Sequence, residues 1–111
     1  MVFVESKWFT KRLRELAREE ADDVLGAIQT DLLASPARGK VVPGLGRNKK
    51  GKMRKSKPGK SKRGGYRYLY LFLAQKDHVH LLFLLDKDEQ EDLSSEERAI
   101  LRRLVAEISQ G

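Results

Sequence analysis

The sequence predicts an α+β domain: a small antiparallel sheet of three to four strands, two helices before it and one after it. Three observations carry this. Residues 8–34 hold two stretches with apolar side chains at helical spacing. Residues 66–85 hold two runs of strand character joined by a short polar turn. Ser94-Ser95-Glu96-Glu97 then opens a third helical stretch.

Val2, Phe3 and Val4 read as an edge or starting strand over Met1–Glu5. Ser6 is a candidate N-cap, and Trp8, Phe9, Arg12, Leu13, Leu16 and Ala17 then share one helix face. A second helix runs from about Glu20 to Ala34 on the stripe Ala21, Val24, Leu25, Ile28, Leu32. Asp22 and Asp23 sit in its first turn, where the helix dipole favours negative charge. Ser35-Pro36 and Gly39 end it. From Gly44 to Gly65 the composition changes to glycine and lysine, which predicts a solvated basic loop with at most a short strand around Lys52–Lys57. Tyr66, Tyr68, Tyr70 and Phe72 alternate with Arg67, Leu69, Leu71 and Leu73 in the clearest strand of the chain. Gln75-Lys76-Asp77 reverses direction. His78–Leu85 is a second strand, apolar on both faces from Leu81 and therefore central. Ser94 and Glu97 have the spacing of a capping box, and Ile100, Leu101, Leu104, Val105 and Ile108 form the stripe of the last helix. This order predicts one domain over residues 1–111, with the helices on one face of the sheet.

The charge is confined. No Asp or Glu lies between Asp31 and Asp77, while fourteen Lys and Arg lie between Arg38 and Lys76. Outside that window nine basic residues face sixteen acidic ones, so an acidic scaffold carries a basic block and the net charge is +7. A block of one sign repels itself and is stabilised by a polyanion, which points to nucleic acid or the ribosome. The absence of cysteine excludes structural disulfides and thiolate metal sites. The first twenty residues carry no apolar signal segment, and the longest apolar run, Leu81 to Leu85, is too short to span a bilayer. The block lacks the bulky apolar residues of a membrane-surface helix. A cytoplasmic protein without membrane partners is expected.

Several residues are candidates for chemistry. Arg67 shares a strand face with three leucines, where a guanidinium is costly unless it is paired or lines a cleft; the ordinary alternative is a strand end opening to solvent. Tyr66, Tyr68 and Tyr70 can stack on bases or simply cover a sheet face. His78 and His80 face one side but lack a third ligand, so no metal and no cofactor are expected. Gly59-Lys60-Ser61 has neither the spacing nor the strand-to-helix setting of a P-loop, which excludes nucleotide hydrolysis. Lys87 follows the central strand among acids and reads either as a surface ion-paired lysine or as a member of an anion site.

Val2-Phe3-Val4-Glu5-Ser6, Gly44-Leu45-Gly46, Lys60-Ser61-Lys62-Arg63-Gly64-Gly65-Tyr66-Arg67, then Leu85-Asp86-Lys87-Asp88-Glu89 and Asp92-Leu93-Ser94 together resemble the HigB-type branch of the RelE/ParE toxin superfamily, in order and over nearly the whole chain. The resemblance implies a RelE-like fold and the toxin of a type II toxin–antitoxin pair. Such a toxin is a ribosome-dependent endoribonuclease that cuts messenger RNA in the ribosomal A site by attack of a ribose 2′-OH. It implies as partners the 70S ribosome, mRNA and a cognate antitoxin of helix-turn-helix, HigA-like type. By analogy Arg67, Lys87 and Lys62 carry catalysis, with Arg67 stabilising the phosphorane charge. Arg54, Lys55, Lys57, Lys60, Arg63, Lys49 and Lys50 hold RNA or ribosome phosphates. The chain departs from the family at Leu85, where some members carry a tyrosine two residues before the late lysine. Two other functions fit the same residues: a non-catalytic RNA- or ribosome-binding protein, and a ParE-like gyrase inhibitor.

Overall fold

The structure, a computed structural model, describes residues 1–37, 39–44, 65–90 and 92–110, and the backbone alone over 49–53. Strand β1 (Val2–Glu5) runs directly into helix α1 (Lys7–Ala17), because Ser6 takes an extended conformation and its Oγ accepts the Phe9 N–H at 3.0 Å. A single 3-10 turn at Arg18–Glu20 redirects the chain into α2 (Ala21–Ala34). Strands β2 (Lys40–Val41), β3 (Lys49–Met53), β4 (Tyr66–Leu73) and β5 (His78–Asp86) follow, then α3 (Ser95–Gln110). The capping box is formed: Ser94 Oγ accepts the Glu97 N–H at 3.1 Å and Glu97 Oε1 accepts the Ser94 N–H at 2.8 Å.

The α+β class and the helix count agree with expectation, but the sheet does not. Over the described residues it is five-stranded and mixed, in the order β1-β5-β4-β3-β2, rather than antiparallel with three to four strands. Strand β1 pairs parallel to β5. Its connection leaves through two helices instead of a hairpin, and only such a crossover can deliver a parallel neighbour. Strand β3 at Lys49–Met53 overlaps the short strand expected around Lys52–Lys57 at Lys52 and Met53, while 54–57 lie outside the described residues, and the two-residue β2 beside it carries no sequence signal at all.

The helices also occupy both faces of the sheet rather than one. Phe9, Leu13, Val24, Ile28 and Leu32 of α1 and α2 cover Tyr66, Tyr68, Tyr70, Val79, Leu81 and Leu84. Leu101 and Val105 of α3 cover Leu69, Leu71, Leu82, Phe83 and Leu85 on the other side. Strand β4 is apolar on both faces, and each must be removed from water. A β-bulge makes this possible in β5. Tyr70 pairs with Leu81 while Leu69 pairs with Phe83, so Leu82 is the extra residue. Before it the odd-numbered Val79 and Leu81 meet the helix pair; after it the even-numbered Leu84 does.

Beyond β1, strand β5 has an edge without a strand neighbour among the described residues, and α1 closes it. Leu81 O accepts the Ser6 N–H, Leu82 O accepts the Ser6 hydroxyl at 2.7 Å, and Leu84 O accepts Arg12 Nε–H at 3.3 Å. The Arg12 guanidinium also lies 5.7 Å from the centre of the Phe83 ring. A cation inside the α1 stripe therefore serves the backbone of the sheet. None of the described helices is long and apolar enough to cross a membrane.

Candidate nucleic-acid interface

Strand order decides where the charge goes. Because β3 lies between β4 and β2, the basic segment joins the sheet at the edge opposite β1. Lys49 and Lys50 pair through their backbones with Tyr70 and Leu69, and Lys52 pairs with Arg67. Arg67 in turn pairs with Leu85 on β5, so it sits in an interior row of the sheet, on the α3 side. It is half-buried there, and its Nε is buried without a hydrogen-bond partner. Such a donor costs about 1–3 kcal/mol unless something accepts from it. The ordinary alternative of a solvated strand end does not describe this side chain.

Lys87 follows β5 immediately. Its N–H donates to Gly65 O at 3.0 Å, which extends the β4–β5 ladder one step beyond the strand. Since Arg67 faces Leu85, the position two residues on is diagonal to Arg67, at about 7–8 Å between backbones. The Lys87 side chain is exposed and makes no ion pair among the described residues, although Asp86, Asp88 and Glu89 flank it. Two predicted catalytic residues thus come together through the ladder. Arg54, Lys55, Lys57, Lys60, Lys62 and Arg63 lie outside the described residues.

No protein-family model matches the chain. Its structure is similar to a double arginine-to-alanine mutant of the E. coli toxin RelE in the free state, with a TM-score of 0.56 and 21% identity over 81% of this chain and 86% of that one. It is similar to the isolated E. coli RelE toxin, with a TM-score of 0.54 and 19% identity over 93% and 97% of the two chains. A third match is to the intact E. coli RelBE toxin–antitoxin complex, with a TM-score of 0.54 and 22% identity over 75% and 92%. The chain has the RelE fold.

Within the RelE fold the three tyrosines are structural. Tyr66 donates to Leu16 O at 3.3 Å, Tyr70 donates to Pro36 O at 2.9 Å and accepts the Gly39 N–H at 3.0 Å, and Tyr68 donates to the Asp31 carboxylate. All three rings are buried under α1 and α2, on the face of the sheet opposite Arg67, so they cannot stack on bases. Tyr68→Phe should therefore cost about 1–3 kcal/mol of stability, from the lost bond to a charged acceptor, and leave RNA affinity unchanged. Urea melts and a filter-binding titration check the two halves, and a loss of affinity at unchanged stability would contradict the assignment.

His78 and His80 share a face near the hairpin, with ring centres 6.3 Å apart. Burial first, then the charges of His78 and Lys76, lower the His80 pKa below the usual imidazole value. No group of three or more potential ligands is arranged to hold a metal among the described residues. A cavity of about 440 Å³ bounded by Phe72, Leu73 and Ile108 lies at the hairpin end of β4, at the far end of the strand from Arg67.

One residue that sequence reasoning passed over belongs to the site's framework. Asp86 was legible only as a neighbour of Lys87, yet it is the buried charged side chain of the described structure, 6% exposed. A lone acid closing an apolar strand just before a polar turn was the available signal.

Proposed function

We propose that this chain is the toxin of a type II toxin–antitoxin pair, in the HigB-type branch of the RelE/ParE superfamily. It acts in the cytoplasm as a ribosome-dependent endoribonuclease on messenger RNA. The observation that carries the reading is the Arg67 guanidinium, held on a rigid interior strand with a buried Nε that has no partner. A transferring phosphate is an acceptor for the part of this half-buried guanidinium that faces solvent. As the 2′-oxygen attacks phosphorus and the bond to the 5′-oxygen breaks, charge gathers on the non-bridging oxygens, where fixed positive charge lowers the barrier. The exposed ammonium of Lys87 stands on the diagonal to add a second cation or to exchange a proton with a ribose oxygen. The acid-free segment before Arg67, including Lys60, Lys62 and Arg63, supplies the attraction that brings RNA to them.

The RelBE complex among the similar structures supports an antitoxin partner, and the resemblance favours a helix-turn-helix, HigA-like one. Induction of the chain in growing cells should stop protein synthesis within minutes and leave cuts inside translated reading frames, mapped by primer extension. Growth and intact messengers after induction would overturn the reading. Tight, salt-sensitive ribosome binding with uncut RNA would support the binding-protein alternative, and loss of gyrase supercoiling would support the ParE-like one.

A further inference from the structure

We propose that Asp86 is a positioning residue for Lys87: its carboxylate sets the turn that holds the lysine diagonal to Arg67. The inference rests on the nuclease reading above and adds to it a residue that touches no substrate.

A carboxylate as buried as that of Asp86 is expensive unless its oxygens are hydrogen-bonded. Asp86 Oδ1 accepts the Asp88 N–H at 2.9 Å, closing a turn around Lys87. The Asp86 carbonyl accepts the Glu89 N–H at 3.0 Å and the Gln90 N–H at 3.1 Å. Lys87 is thereby enclosed between three bonds to Asp86 and its own N–H···O bond to Gly65. A second strut ties this turn to α3, because Gln90 Nε2 donates to Glu97 Oε1 at 3.0 Å, and that oxygen also caps Ser94. Asp86 pairs with Tyr66 and so belongs to the opposite side of the sheet from Arg67. Its influence on the site passes through the backbone of the turn and not through a direct contact with RNA. A strand end without this anchor would let the Lys87 stem swing over exposed surface, and misplacement by about 1 Å costs a catalytic group on the order of 10²-fold.

The geometry separates shape from charge. Asp86→Asn keeps the Oδ1 acceptor and loses the charge; Asp86→Glu keeps the charge and moves the acceptor by one methylene. Cutting of a ribosome-bound messenger is measured under single-turnover conditions for the wild type, Asp86→Asn, Asp86→Glu, Lys87→Ala and the Asp86→Glu/Lys87→Ala double variant, each with its ribosome affinity and thermal midpoint. Asp86→Asn is expected within a few-fold of wild type, and Asp86→Glu slower by about 10–100-fold at unchanged affinity. The double variant should be no slower than Lys87→Ala. Fast Asp86→Glu with slow Asp86→Asn overturns the inference, as does a full further loss in the double variant, which is the mark of a general fold defect. Absence of cutting by the wild type counts against the nuclease reading itself. The same cycle is then read on RNA affinity, where additive losses overturn the positioning role separately.

Discussion

Arg67→Ala is expected to lower messenger cutting by at least about 10²–10³-fold, the loss seen when one preorganised donor is removed from a developing anion. The variant should melt no lower than the wild type. The Nε it removes is buried and unpartnered, so the folded chain carries a desolvation cost of about 1–3 kcal/mol that the substitution relieves. Loss of activity at equal or higher stability distinguishes a functional arginine from a structural one. Arg67→Lys is expected to recover only part of the rate, because an ammonium is a point charge and lacks the planar donor fork that matches phosphate. Single-turnover cutting with purified ribosomes, alongside calorimetric melting, checks both parts. A variant that cuts at the wild-type rate removes Arg67 from the site, and one that melts far below wild type assigns it to the fold.

Phe9→Ala is expected to destabilise the chain by about 3–5 kcal/mol, as for other buried aromatic truncations. Phe9 is 0% exposed and packs between α2 and the tyrosine face of the sheet. The same residue receives the Ser6 cap, in the segment that closes the open edge of β5. Collapse around the cavity would tilt α1 and strain the bonds from Ser6 and Arg12 to the β5 carbonyls, which limits how far the site can relax. Against a total of about 5–15 kcal/mol, such a change leaves a marginal protein. Urea unfolding followed by circular dichroism measures it, and a change below about 1 kcal/mol would mean that α1 does not anchor the core. Since Phe9 is remote from Arg67, the folded fraction should retain ribosome binding.

Much of this architecture could be read along the chain. The Ser6 cap, the α1 and α2 stripes, the limits of β4 and the Ser94–Glu97 box all depend on neighbours within a few residues, and local preference is what sequence patterns record. The run His78–Leu85 was legible as a central strand, but its bulge was not. Leu81 to Leu85 is apolar without a break, so no alternation marks the extra residue at Leu82. The β2–β3 edge was equally hidden, because Lys40–Val41 and Lys49–Met53 gain their hydrogen bonds from β4 and not from their own composition.

The candidate site divides along the same line. That a basic, acid-free segment runs into a strand at Arg67, and that a lysine follows the central strand, is legible from residue order alone, because charge and strand alternation are properties of the chain. Folding makes Arg67 and Lys87 diagonal neighbours, leaves Arg67 Nε without a partner, and buries Asp86 beneath the turn. It also puts α3 on the opposite face from α1 and α2. Those facts depend on register and burial, which are fixed when distant segments exclude water from both faces of one sheet.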